Sequence, residues 1–79
     1  MQIEHDTEQQ CFTCQLDSSQ HAFLSYTLHG YHIDFIHTLV PESLRGQGIA
    51  EKLVREGLSW ARHQGFTISA SCGYVRKFM

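Results

Sequence analysis

The hydrophobic period of this chain changes in mid-sequence from that of strands to that of a helix, and the change falls at a pair of glycines. Gln10, Phe12, Cys14 and Leu16 alternate with polar neighbours, and Ala22, Leu24, Tyr26 and Leu28 alternate with His21, Ser25 and Thr27. Tyr31, Ile33, Phe35, His37 and Leu39 form a third alternating run. A period of two is that of a strand with one buried face. After Gly46 and Gly48, apolar residues recur as Ile49, Ala50, Leu53, Val54, Leu58 and Ala61, with Glu51, Lys52, Arg55, Glu56 and Arg62 between them. That is the period of an amphipathic helix. Phe66 to Ser71 alternates again, and Tyr74 to Met79 reads as a final helical turn or two.

Punctuation fits these elements. Asp17-Ser18-Ser19 is a turn cluster, His29-Gly30 suits a two-residue hairpin turn, and Pro41 ends the third strand because it cannot donate to a ladder. Gly65 stands where a helix ends on a left-handed glycine. Phe23 breaks its strand's alternation and is expected to face a helix or a partner. The order strand, strand, strand, loop, helix, strand, short helix predicts an α+β fold. Its sheet is mixed and mostly antiparallel, with one main amphipathic helix and a short C-terminal helix. With 79 residues there is room for one domain, spanning 1–79, and a core this small gains stability from a bound ligand or a second subunit.

Charge is divided along the chain. Residues 1–44 contain six carboxylates and no Lys or Arg, whereas residues 45–79 contain all six basic side chains and two carboxylates, giving −6 and +4. This division suits a polyanionic ligand on the second half. The net charge of −2 is not the basic footprint of a nucleic-acid binder. No apolar run approaches the ~20 residues that cross a bilayer, and the N-terminus has neither a basic nor an apolar signal region. A soluble, cytoplasmic protein is expected. Cys11, Cys14 and Cys72 are an odd set for a disulfide framework. Cys11 and Cys14, three apart on a strand, point to opposite faces and have no second pair to complete a zinc site, so no metal is expected.

The segment Leu39-Val40-Pro41-Glu42-Ser43-Leu44-Arg45-Gly46-Gln47-Gly48-Ile49-Ala50 joins strand to helix. Its glycines let backbone approach a ligand, the first helical amides have no internal partners, and the helix dipole favours an anion there. The combination is a phosphate site, with Arg45 at its lip. A Walker loop requires Lys-Ser or Lys-Thr after its glycine, and the dinucleotide fingerprint requires a third glycine, and neither is present.

The loop instead resembles the pyrophosphate motif of the GNAT N-acetyltransferases, [QR]-x-x-G-x-[GA], met by Arg45, Gly48 and Ala50. The likeness runs from Ala22 through Phe78 and is that of a minimal single-domain branch, the YjdJ-type proteins. Its marks are Ala22-Phe23-Leu24-x-Tyr26, Asp34-Phe35-x-His37-Thr38, Arg45-Gly46-x-Gly48-Ile49-Ala50-x-x-Leu53-Val54 and Ser71-Cys72-Gly73-Tyr74-Val75. The chain departs from that branch in having Gly73 where a serine is usual, and in ending at Met79 where members continue with an Arg-His-Pro-x-Tyr-like segment.

The resemblance implies acyl-CoA, foremost acetyl-CoA, as the ligand. Leu39 and Val40 would pair with the pantetheine arm, and Arg45, Gly46, Gln47, Gly48, Ile49 and Ala50 would wrap the pyrophosphate. It also implies that the last strand parts from the one ending at Leu39, with the thioester in the gap. Cys72, next to that gap, is then either an acyl acceptor or a small core thiol. Tyr74 is either the proton donor to the departing thiolate or a packed ring. His37, on an apolar strand face, reads as a hydrogen-bonded core histidine, and His29 and His32 read as surface residues. Larger GNAT enzymes build an acceptor site from extra helices and strands. The likeness therefore implies an open groove for an amine acceptor, which includes an amine on a protein, in a monomer or homodimer. The expected function is acyl transfer from acyl-CoA to that amine, directly or through Cys72. The alternative is a CoA-binding module without turnover, and a nucleic-acid or protein-interaction domain ranks last.

Overall fold

The computed structural model describes residues 2–17 and 19–79, so Met1 and the middle residue of the Asp17-Ser18-Ser19 cluster lie outside the described residues. The elements are β1 (Ile3–Asp6), β2 (Cys11–Gln15), β3 (His21–His29), β4 (His32–Leu39), a 3-10 turn (Glu42–Leu44), α1 (Ile49–Gln64), β5 (Thr67–Ala70) and α2 (Gly73–Arg76). The five strands form one sheet in sequence order, antiparallel from β1 to β4 and closed by β5, which runs parallel to β4. A parallel pair needs a crossover, and α1 supplies it. The α+β class expected from the period change is the class observed.

One face of the sheet packs on α1. Phe12, Cys14, Ala22, Leu24, Tyr26, Ile33 and Phe35 from the strands meet Ile49, Leu53, Val54, Leu58 and Ala61 from the helix, with Val75 closing the end. Each fully buried Leu, Val or Phe contributes about 1.5–3 kcal/mol. The exposed Glu51–Arg55 pair at 2.9 Å contributes about 0.3–0.5 kcal/mol, so packing and not surface charge anchors the helix. Gly57, which the helical pattern did not single out, sits in this interface. A Cβ there would stand 2.8 Å from Leu24 Cδ2 and 3.0 Å from Phe35 Cε1. The helix ends at Gly65 (φ 78°), where Gly65 N–H donates to Arg62 and Phe66 N–H to Ala61. That pair of hydrogen bonds is the left-handed stop expected of a glycine here.

Three expectations need correction. Strand β1 was not anticipated, because Ile3-Glu4-His5-Asp6 has a single aliphatic residue. Its second inward residue is His5, which stacks on Phe12 and lies 2.6 Å from the Tyr26 hydroxyl. The two-residue hairpin loop is Gly30-Tyr31 rather than His29-Gly30, so Tyr31 leaves the alternating run and is exposed. His37 is exposed, not a core histidine. Ser25 pairs with His37 while Tyr26 pairs with Phe35, so Ile36 is an extra residue in β4. Such a bulge shifts the side-chain alternation by one, sending His37 and Leu39 to the face away from α1 and Thr38 toward it. Phe23 also faces away from the helix, beside the His37 ring.

Candidate functional site

Strand β4 is longer than its parallel neighbour. The β4–β5 ladder ends at Phe35 opposite Ala70, and Cys72 N–H donates to the Phe35 carbonyl at 3.1 Å as the last link. Beyond it β4 continues to Leu39 while the chain after β5 turns into α2, so the two part. A groove of about 460 Å³ occupies the region beyond, lined by Thr38, Leu39, Val40, Leu44, Arg45, Gly46, Gly48, Ile49, Ala50 and Tyr74.

Its floor is the start of α1. Gly48 is the N-cap, in the left-handed region at φ 77°, and carries no capping side chain. Gly46 is left-handed too, at φ 86°. A Cβ at either position would meet nothing within 4 Å, so the space beside both backbones is open. The first helical bond runs from Lys52 N–H to the Gly48 carbonyl at 3.1 Å, leaving the amides of Ile49, Ala50 and Glu51 without partners inside the helix. Unpaired amides, the positive end of the helix dipole and two loop residues without β-carbons, Gly46 and Gly48, together fit a phosphate group. The Arg45 side chain folds back toward the Val40 carbonyl, with Nε 3.4 Å from its oxygen, which joins the two ends of the loop.

At the point of parting, the Cys72 sulfur lies 3.5 Å from the Thr38 hydroxyl. Burial pushes the Cys72 thiol up, but hydrogen bonds from the Thr38 side chain and from the backbone of Val75, Tyr74 and Thr38 outweigh it and leave the thiol more acidic than usual. Tyr74, in the first turn of α2, packs on Phe78, with ring centroids 5.2 Å apart. Burial, then the Glu51 charge, raise its phenol, with Arg55 opposing, so the hydroxyl keeps its proton at neutral pH.

Of the expected site residues, Leu39, Val40, Arg45, Gly46, Gly48, Ile49, Ala50 and Tyr74 come together around one groove. Gln47 is exposed and does not line it, and Cys72 does not line it either but contacts Thr38, which does. Thr38 and Leu44 were missed as lining residues. The signal for Thr38 depends on the bulge, which the alternating pattern hides. Cys11 and Cys14 are free thiols on opposite faces, and among the described residues no group of three or more His, Cys, Asp or Glu side chains is placed to hold a metal ion.

A family model described as GCN5-related N-acetyl-transferase matches residues 11–79. The chain is similar to Protein NATD1 of Gallus gallus, with 33% identity over 81 residues covering 100% of this chain and 74% of that one. The Bos taurus Protein NATD1 is likewise 33% identical, over 100% of this chain and 72% of its own. Among solved structures, the solution structure of a GCN5-like protein from Staphylococcus aureus superposes with a TM-score of 0.74 at 26% identity, covering 98% of this chain and 76% of that one.

Proposed function

Because the chain belongs to the GCN5-related N-acetyl-transferase family, we propose that it transfers an acyl group, foremost acetyl, from acyl-CoA to an amine. The observation that carries this reading is the groove, where a glycine loop and three unpaired helix amides meet the end of a strand that has lost its neighbour. The amides of Gly46 to Ala50 bind the pyrophosphate. The free edge of β4 at Leu39 and Val40 takes the extended pantetheine arm as a further strand would be taken. The donor thioester then lies near Thr38 and Cys72, at the parting of β4 and β5.

In the transfer, the amine nitrogen bonds to the acyl carbon as the carbon–sulfur bond breaks, giving an amide and CoA thiol. Tyr74 lines the groove with its hydroxyl protonated, and supplies the proton that the departing sulfur takes up. The proton lost by the amine goes to solvent, from which Tyr74 recovers its own. Cys72 offers a second route, in which its thiolate bonds to the acyl carbon as the bond to CoA sulfur breaks and CoA thiolate leaves, after which the amine takes the acyl group and restores the Cys72 thiolate. The geometry that favours it is the Thr38 contact, which stabilises the thiolate.

A binding module without turnover remains the competing reading, and one experiment separates the two. The protein is incubated with acetyl-CoA, and its CoA affinity is measured by calorimetry while its intact mass is recorded. CoA retention with an added acetyl group on Cys72, or with consumption of thioester in the presence of an amine, supports transfer. Retention with neither supports the module, and no retention overturns both.

A further inference from the structure

The face of the sheet away from α1 differs in charge from the rest of the domain. By register it presents Glu4 and Asp6 from β1, Cys11, Thr13 and Gln15 from β2, and His21, Phe23, Ser25, Thr27 and His29 from β3. It continues with His32, Asp34, His37 and Leu39 from β4 and Thr67 and Ser69 from β5. No strand contains Lys or Arg. All six basic side chains belong to the loop, α1, or α2 and the residue after it. A phosphate-bearing donor on the helix N-terminus and a cationic acceptor on the open sheet face would therefore each meet the sign of charge it needs.

Asp34 is the carboxylate of that face nearest the parting of β4 and β5. It pairs with Ser69, one position before the last rung of the ladder. Ser69 Oγ donates to Asp34 Oδ1 at 2.6 Å, and Ser71 Oγ, next to Cys72, donates to Oδ2 at 2.7 Å. His32 stands beyond Ser69, with Nε2 2.9 Å from its hydroxyl and Nδ1 2.7 Å from that of Thr67. The serines tie β5 to β4, and they also fix the carboxylate in one orientation. Each of its oxygens accepts from one serine hydroxyl, and two carboxylate oxygens together offer about four acceptor positions, so an acceptor position remains for a ligand. The Ser69 and then the Ser71 hydrogen bonds hold its pKa below the ordinary carboxylate range, against a small opposing effect of burial and with help from Ser71 backbone and His32. So acidic a group does not serve as a base at neutral pH, but it stays charged.

Resting on the acyltransfer reading above, we propose that Asp34 is the acceptor-positioning residue. It holds an alkylammonium group of the acceptor on the open sheet face, beside the mouth of the β4–β5 gap. The substrate class is an amine that carries a second positive charge near the reacting nitrogen. The ammonium that Asp34 holds stays protonated, and the other amine reacts. Such a charge comes from a small diamine or from a lysine-bearing peptide, and the same carboxylate recognises both.

The test is an ¹⁵N–¹H NMR titration of the chain, free and with CoA. The probes are 1,5-diaminopentane, an end-blocked Lys-Gly-Lys peptide, and 1,5-pentanediol as the neutral control. The expected result is shifts of the Asp34, Ser69 and Ser71 amides with at least one cationic probe and none with the diol. Which cationic probe binds more tightly identifies the source. Asp34→Asn should weaken that binding about tenfold or more, as the loss of a charge-assisted hydrogen bond does, with CoA affinity unchanged. Equal shifts with the diol, no shifts with either cation, or an Asp34→Asn protein that binds the cation as before would overturn the proposal. If Asp34→Asn does not fold, the contrast between cation and diol in the wild type still decides. Failure of CoA to bind would overturn the donor site and is read separately from the cation titration.

Discussion

The Thr38 hydroxyl lies 3.5 Å from the Cys72 sulfur, joining β4 to the N-cap residue of α2 where the parallel ladder ends. The hydroxyl stabilises the thiolate, so removing it in Thr38→Val should raise the Cys72 pKa. The rate of Cys72 alkylation by iodoacetamide at pH 7 should then fall about fivefold, the effect of one ordinary hydrogen bond. Within the wild type, Cys72 should react before Cys11, whose thiol is raised by burial and then by Asp6, and before Cys14, which is fully buried. An unchanged rate in Thr38→Val would remove Thr38 from the account of Cys72.

Gly48 occupies left-handed backbone beside open space, and its substitution separates stability from binding. Gly48→Ala should cost about 1–2 kcal/mol for the positive φ, a fall of roughly 5–10 °C in Tm. Its methyl group adds bulk to a residue that lines the groove. CoA affinity measured by calorimetry at a temperature where the variant is folded should therefore drop at least about tenfold, beyond any loss of folded protein. A folded variant with wild-type affinity would locate CoA elsewhere.

Gly57 tests the core. A helical Gly→Ala change in open space stabilises by up to about 1 kcal/mol. Here the added carbon meets Leu24 and Phe35, both fully buried, and cannot be relieved by solvent. Gly57→Val should destabilise by about 2 kcal/mol and lower Tm by roughly 10 °C. A rise in Tm would mean that the interface holds more free volume than the packing implies.

His5 gives the fold a pH dependence of defined sign. Burial lowers its pKa, opposed by the Asp6 charge, so the unfolded chain takes up the proton at a higher pH than the folded one. Its contribution to stability is fully present above the unfolded value of about 6.5 and is lost as pH falls toward the folded value. Tm should therefore decline between pH 7 and pH 5, and His5→Gln should flatten that decline. Asp34 and Asp17 also have lowered values, and their contributions are lost at lower pH, below about 4, in a separate step. An unchanged slope in His5→Gln would assign the decline to other groups.

Tyr74→Phe keeps the ring against Phe78 and removes only the hydroxyl. Loss of a general acid should lower kcat about a hundredfold with CoA affinity retained. Equal kcat in the two proteins would leave the ring as packing.

Much of this protein is legible in its sequence because its core obeys simple periods. Phe12, Cys14, Ala22, Leu24, Tyr26, Ile33 and Phe35 were all readable as inward strand positions, and Ile49, Leu53, Val54, Leu58 and Ala61 as one helix face. The loop before α1 was legible for a related reason, since left-handed turns demand glycine, and Gly46 and Gly48 declare themselves.

Three features were decided only by the folded chain. Strand β1 has too little apolar content to announce itself, and it forms because β2 offers an unpaired edge and because His5 finds Phe12, Tyr26 and Trp60 to pack against. The bulge at Ile36 leaves no mark in the alternation, yet it decides that His37 faces solvent and Thr38 faces Cys72. The Ser69–Asp34–Ser71 arrangement joins residues more than thirty positions apart. Period and glycine placement are local properties, written in a few neighbouring residues. Register and long-range pairing depend on which strand lies beside which, and that is determined when the whole sheet closes on α1.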